Sequence, residues 1–175
     1  MTPPEPLPDR PSGRPTLRPA GPGDLDAVAA IWATGWRDGH LGNVPEELVA
    51  IRTPESFRTR AGVRVADPAG RTVVAEVDGA VAGFVMVVAD EVEQVYVDSS
   101  HRGTGLASVL LDEAERLVAA GGFSSAWLAV VPGNTRARRF YERRGWRDDG
   151  GFEYAASVET GSVPVPCRRY VKDVG

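Results

Sequence analysis

Val95-Tyr96-Val97-Asp98-Ser99-Ser100-His101-Arg102-Gly103-Thr104-Gly105-Leu106-Ala107 is the stretch on which the reading of this chain turns. Residues 91–97 are valine-rich and alternate, which predicts a strand. From Leu106 onward Val109, Leu110, Ala114, Leu117 and Val118 recur at helical spacing, with Asp112, Glu113, Glu115 and Arg116 mostly off the stripe and Gly121-Gly122 after it. A helix start leaves backbone N–H groups unpaired and carries partial positive charge. Glycine lets the backbone adopt positive φ and come close to a ligand. Strand, glycine turn and helix in that order therefore form a cradle suited to a pyrophosphate. On the glycines alone, a plain strand–helix turn is an equal reading. A dinucleotide fingerprint is disfavoured because Ser108 stands where its third glycine belongs and no acidic residue ends the next strand. A Walker-type loop is excluded, since no Gly-Lys-Ser/Thr follows.

Reading outward, residues 80–89 form a mostly apolar strand, and β-branched residues 71–77 form another, joined at the hairpin signal Asp78-Gly79. Further upstream, 14–18 reads as a short strand. Asp24 then caps a helix marked by Leu25, Val28, Ile31 and Trp32. Gly39 and Gly42 interrupt that pattern. Pro45 starts a second helix carrying Leu48 and Ile51, and Pro54 a third short helical piece. Downstream, 125–131 is a strand and Pro132-Gly133 a turn. Asn134 caps a helix running to about Arg144, and 152–158 with 163–171 form a final antiparallel pair. This order predicts an α/β (α+β) fold: a mixed, mostly antiparallel twisted sheet of about seven strands, a central β-α-β unit and flanking helices. Residues 14–175 are expected to form a single domain. The proline-rich segment 1–13 is expected to be a disordered leader.

Composition sets the outer limits. The chain has 175 residues, 42% hydrophobic and 25% charged, which suffices for a real core. A formal net charge of −4 gives no whole-protein attraction to nucleic acid. The single cysteine, Cys167, excludes an internal disulfide framework and reads as a small buried hydrophobe. No cluster has metal-ligand spacing. The longest apolar run, 80–89, is too short to span a bilayer, and residues 1–13 lack the apolar run of a signal peptide. The expectation is a cytoplasmic protein with neither nucleic acid nor membrane as partner and no metal.

The run 95–107 resembles the coenzyme-A motif of the GCN5-related N-acetyltransferase (GNAT) family. That signature is Gln or Arg, two residues, Gly, one residue, then Gly or Ala, and it is met by Arg102, Gly105 and Ala107. Asn134-Thr135-Arg136-Ala137-Arg138-Arg139-Phe140-Tyr141-Glu142-Arg143-Arg144-Gly145-Trp146 resembles the family's second conserved segment. Residues 14–25 resemble its opening strand and helix, so the likeness covers roughly residues 14–173. It implies the GNAT fold and acetyl-CoA as acyl donor. Pantetheine would lie along Val95, Tyr96 and Val97, and Asn134 would contact it. The pyrophosphate would sit on Arg102, Gly103, Thr104, Gly105, Leu106 and Ala107.

The implied reaction is direct attack of an amine on the thioester. A strand glutamate, Glu91 or the close competitor Glu93, would act as base, directly or through water, and Tyr141 as acid. Strict alternation groups Glu91, Glu93, Val95 and Val97 on one face, and Val92, Gln94 and Tyr96 on the other. Read without the family, the glutamates are solvated strand carboxylates, Tyr141 a core aromatic and Asn134 a helix cap. Tyr141 lies two helical turns after Asn134 and points the same way, while Phe140 points into the core. The arginines at 136, 138, 139, 143 and 144 read as a solvated helix face. For the acceptor side, Trp36 and His40 are candidate contacts, with Trp32 in the core. An acidic pocket built from Glu91 and Glu93 would favour a small cationic amine. A homodimer is a candidate assembly, and a non-catalytic acyl-CoA-binding sensor is the alternative function.

Overall fold

The computed structural model describes residues 13–69 and 71–175. Of the expected leader, residues 1–12 lie outside the described residues. The valine-rich segments form strands β1 (Thr16–Pro19), β2 (Thr72–Val77), β3 (Ala80–Val88), β4 (Glu91–Val97), β5 (Ser125–Val130), β6 (Arg147–Val158) and β7 (Gly161–Asp173). The helically spaced ones form α1 (Leu25–His40), α2 (Glu46–Ile51), α3 (Pro54–Val65), α4 (Leu106–Ala120) and α5 (Thr135–Arg143). The strands join in one sheet in the order β1-β2-β3-β4-β5-β7-β6. Every neighbouring pair is antiparallel except β4 and β5. A parallel pair needs a crossover, and α4 supplies it. The mixed, mostly antiparallel seven-stranded fold is the one expected.

Alternation along the central strands sends side chains to two cores, one on each side of the sheet. On the α4 side, Val85, Leu110, Leu111, Ala114 and Val118 are fully buried. Removing each of those leucines from water contributes about 2 kcal/mol. On the other side Val28 and Trp32 of α1, Phe57 of α3, and Phe84 and Met86 of β3 pack together.

Local chemistry departs from expectation in four places. Asp24 does precede α1, but its carboxylate accepts from Arg18 at 2.7 and 2.9 Å and from the Gly21 N–H at 2.8 Å rather than capping α1. The third helical piece is a full helix of 12 residues, with Thr53 accepting the Ser56 N–H as its cap. β6 begins at Arg147, ahead of the expected 152, because Arg147 and Asp148 already pair with β7 and a register shift between Asp148 and Gly151 carries the strand on. The fourth departure matters most. Val92 pairs with Val87 and Gln94 with Met86, so Glu93 is an extra residue, a β-bulge. The bulge flips the alternation. Val92, Val95 and Val97 all pack toward the α4 core, whereas Tyr96 packs on the α1–α3 side. Glu91 and Glu93 therefore do not share a face with Val95 and Val97. They bond to Tyr154 and to Arg64 of α3 on the opposite side.

Candidate active site

β4 and β5 share a single register pair, Glu91 opposite Trp127, beside a Trp127 N–H to Asp90 C=O bond of 3.0 Å. Past that point β5 leaves β4. On the other edge the Asp98 N–H donates to the Ala82 C=O at 2.8 Å, with Tyr96 opposite Phe84 and Gln94 opposite Met86. Bonded pairs alternate in an antiparallel ladder. This phase ties Gln94, Tyr96 and Asp98 to β3 and turns the N–H and C=O groups of Val95 and Val97 toward the gap.

A 3-10 turn (Ser99–His101) leads from β4 to the glycines. Gly103 and Gly105 hold φ of 77° and 87°, the left-handed region that suits glycine. The N–H groups of Arg102 and Thr104 are used within the turn, on the Ser99 and His101 carbonyls, both at 3.4 Å. Among the described residues, those of Gly103, Gly105, Leu106 and Ala107 have no backbone acceptor outside their helix. These four residues line a cleft of about 430 Å³ together with Val95, Tyr96, Val97, Arg102, Asn134 and Tyr141. Thr104 is not on that wall; its hydroxyl donates to the His101 carbonyl at 2.6 Å and braces the turn. The Arg102 guanidinium pairs with Asp38 at 2.5 Å, tying the turn to α1. α1 can approach because Gly35 has no side chain; a Cβ there would lie 2.3 Å from the Tyr96 ring.

Asn134 divides its two ends. Its Oδ1 accepts the Ala137 N–H at 3.1 Å and caps α5, while its Nδ2 points toward Gly39 of α1 at the cleft wall. Tyr141 packs against Phe140, Trp146 and Tyr170, and burial pushes its phenol up to about 12, so it keeps its proton at neutral pH. Phe140 packs on the α4-side core as expected and also lines the cleft. Of the α5 arginines, Arg136 and Arg143 border the cleft, whereas Arg138 bonds the Tyr170 hydroxyl and Arg144 pairs with Asp112.

Tyr141 and Asn134 also line a second cavity of about 170 Å³, shared with Trp36, His40, Arg52, Arg60, Glu91, Glu93, Tyr154 and Cys167. Glu91 accepts the Tyr154 hydroxyl at 2.8 Å. Burial pushes the Glu91 carboxyl above the usual range; the Tyr154 bond opposes this and Glu93 adds to it. Glu93 is held by Arg64 through two N–H donors at 2.6 and 2.5 Å. His40 stacks on Trp36, and burial lowers it to about 4, so it is neutral. Burial pushes the Cys167 thiol up to about 11, which keeps it an inert core group. The expected acidic pocket is thereby corrected: Glu93 is neutralised by Arg64, and two further guanidiniums, Arg52 and Arg60, line the same wall.

The Acetyltransferase (GNAT) family model matches residues 31–146. The chain belongs to that family. An uncharacterised N-acetyltransferase of Mycobacterium bovis is 27% identical to it over 150 residues, covering 81% of this chain and 96% of the relative. The GNAT fold is shared with PaiA N-acetyltransferase of Thermoplasma acidophilum, solved with coenzyme A, at a TM-score of 0.70 and 16% identity over 91% of this chain and 99% of that one. YncA of Salmonella typhimurium, solved with acetyl-CoA, gives a TM-score of 0.67 at 18% identity over 93% and 95%.

Within this GNAT fold, three residues lining the second cavity, Arg52, Arg60 and Tyr154, and the Arg64 that holds its Glu93, are absent from the candidates drawn from the sequence. A signal for two of them exists. Phe57 and Ala61 are buried on α3, and Arg60 and Arg64 follow at helical spacing, so the apolar stripe of that helix continues directly into two guanidiniums. Tyr154 sits within the alternation of β6, but its partner Glu91 lies 63 residues away.

Proposed function

We propose that this GNAT protein transfers an acetyl group from acetyl-CoA to the amine of a small molecule. One observation carries the reading: the free amides of the glycine turn, the outward backbone edge of Val95 and Val97, and the Tyr141 phenol line one cleft, and Tyr141 also borders the cavity that holds Glu91. Both the free donors and the glycine backbone that gives a ligand room to approach suit a pyrophosphate. The amides of Gly103, Gly105, Leu106 and Ala107 hold it. Val95 and Val97 pair with the pantetheine amides as with an added strand, and the Asn134 Nδ2 adds a donor. When bound, the coenzyme supplies an activated acyl carbon and a thiolate leaving group.

Glu91 takes the proton released as the amine nitrogen bonds to the acyl carbon. Tyr141 gives its proton to the sulfur as the carbon–sulfur bond breaks. Glu91 is favoured over Glu93 because Glu93 is tied up by Arg64, while burial raises the basicity of Glu91. The reading extends to a single domain over residues 14–175, a cytoplasmic location and a homodimer, the last testable by sedimentation velocity.

The decisive experiment pairs calorimetry of acetyl-CoA binding with a thiol-release assay over a panel of small amines. Binding with turnover is expected. Binding without turnover of any amine would favour a non-catalytic acyl-CoA sensor, and absence of binding would overturn the cradle assignment.

A further inference from the structure

The second cavity carries two cations, Arg52 and Arg60, that no carboxylate pairs among the described residues. Arg52 follows α2 and is 5% exposed. One of its Nη atoms donates to the Ser157 carbonyl at 2.6 Å, and its Nε finds no acceptor. A buried donor left unpaired is costly, because it has given up its water and gained no partner. Arg60, on α3, lies with its guanidinium carbon 4.4 Å above the Trp32 ring, which occupies one face of the group and leaves its N–H edge for another partner. Among the described residues, neither guanidinium has a carboxylate within salt-bridge distance. The carboxylate whose charge reaches Arg60 is Glu93, and Arg64 already holds it with two bonds. The other titratable groups facing the pair are His40, which is neutral, and the phenols of Tyr96 and Tyr154. Burial weakens both arginines as cations; repulsion from Arg60 helps lower Arg52 to about 10, and repulsion from Arg64 adds to the burial of Arg60. An oxyanion between them would satisfy the unpaired donor, relieve the repulsion and use the planar fork that distinguishes arginine from lysine.

We propose that the acceptor is an amino-acid-like molecule, whose carboxylate is held by Arg52 and Arg60 while its amine faces Glu91. The inference rests on the acetyltransferase reading above and narrows its substrate class. The cavity holds both kinds of partner side by side: Glu91 and Tyr141 for the reacting amine, two guanidiniums for a carboxylate, and the Trp36–His40 stack for a side chain.

The test compares each common L-amino acid with its carboxamide, on the wild-type protein and on Arg60→Met and Arg52→Met. Methionine keeps the apolar stem of arginine and removes the charge. Thiol release at saturating acetyl-CoA gives kcat/KM for both members of a pair. The readout is the carboxylate-to-carboxamide ratio on one protein sample, so a reduced folded fraction cancels. The change in that ratio between proteins also cancels the different amine pKa values. For the preferred amino acid the ratio is expected to fall roughly 10- to 100-fold in either variant, as for loss of a charged hydrogen bond. A ratio equal in wild type and variants overturns the oxyanion site and leaves the acetyltransferase reading standing.

A second measurement needs no catalysis: the thermal shift given by the same amino acids and carboxamides in the presence of CoA. Stabilisation by a carboxylate in wild type that is lost in Arg60→Met, with no amine turned over, upholds the oxyanion site and sinks the acetyltransferase reading. Absence of both turnover and carboxylate-dependent stabilisation sinks both.

Discussion

The buried His40 should destabilise this protein at mildly acidic pH, in a range where an ordinary histidine is harmless. The His40 ring stacks on Trp36 with centroids 4.8 Å apart and planes 6° from parallel. Its Nδ1 lies 2.9 Å from the Trp36 carbonyl, and since a carbonyl only accepts, Nδ1 carries the proton of the neutral ring. Burial disfavours the charged ring, and Arg52 and Arg60 repel it; the Trp36 bond opposes them only in part. The histidine is thus lowered from 6.5 to about 4. Between those values the unfolded chain takes up a proton that the folded chain refuses. Stability therefore falls as pH drops through 6.5 and levels off near 4. At about 1.4 kcal/mol per pH unit, that span amounts to roughly 3 kcal/mol.

The comparison is His40→Phe, which keeps a flat ring over Trp36 and cannot titrate. Urea unfolding of both proteins at several pH values between about 7.5 and 4 gives the difference in stability, and the acid sensitivity of the carboxylates cancels in that difference. Wild type should lose roughly 3 kcal/mol more than the variant, or about 6–12 °C in Tm for a chain of this size. A difference that stays constant with pH would refute the burial argument, because the lost hydrogen bond alone gives an offset without slope.

Three other outcomes follow from the same geometry. Gly105→Glu should abolish acetyl-CoA binding in calorimetry while the protein still unfolds cooperatively, since a Cβ there meets nothing within 4 Å, and the φ of 87° costs a side chain only about 1–2 kcal/mol; retained affinity would count against the cradle. Tyr141→Phe should lower kcat roughly 10²- to 10⁴-fold with little change in acetyl-CoA affinity, the range typical of a lost general acid, and an unchanged kcat would remove Tyr141 from the chemistry. Glu91→Gln should remove the acid limb of the kcat/KM profile without lowering Tm at neutral pH. Its raised carboxyl pKa means that the protonated form is the one the fold favours, a contribution present at low pH and lost as pH rises through the folded pKa; a destabilised variant would contradict that sign.

What was legible in the sequence is what depends on neighbours along the chain. The glycine turn, the apolar stripe of α4 and the Asn134 cap are local, and each lies where its pattern places it. The extent of α3 is obscured because Arg58, Arg60 and Arg64 dilute its apolar stripe, and the start of β6 because the polar and glycine residues 147–151 lack strand alternation across the register shift. Polarity of the second cavity is hidden from the sequence for a different reason. The Arg64–Glu93 pair joins residues 29 apart, and the Tyr154–Glu91 bond joins residues 63 apart. No periodicity within one element carries that information.

The bulge at Glu93 connects these points. Unbroken alternation in β4 would put both glutamates on the face of Val95 and Val97, against the α4 core, where a carboxylate would be buried without a partner at a cost of several kcal/mol. One extra residue sends the valines to that core and both glutamates to the α3 side, where Arg64 and Tyr154 receive them. The two carboxylates then differ in kind. Glu93 serves as the counterion of Arg64, which keeps α3 on the sheet and leaves Arg60, one helical turn earlier, facing the cavity without a carboxylate of its own. Glu91 accepts from a phenol and has no cationic partner among the described residues, which is what the proposed base requires. A single-residue insertion in one strand thus brings both glutamates to the cavity side, where Arg64 takes one and Tyr154 the other. Deleting Glu93 should therefore remove the bulge and the Arg64 ion pair while Val92 stays opposite Val87 and Glu91 stays on the α3 side, so a lower urea midpoint with cooperative folding retained is the result expected in a urea titration.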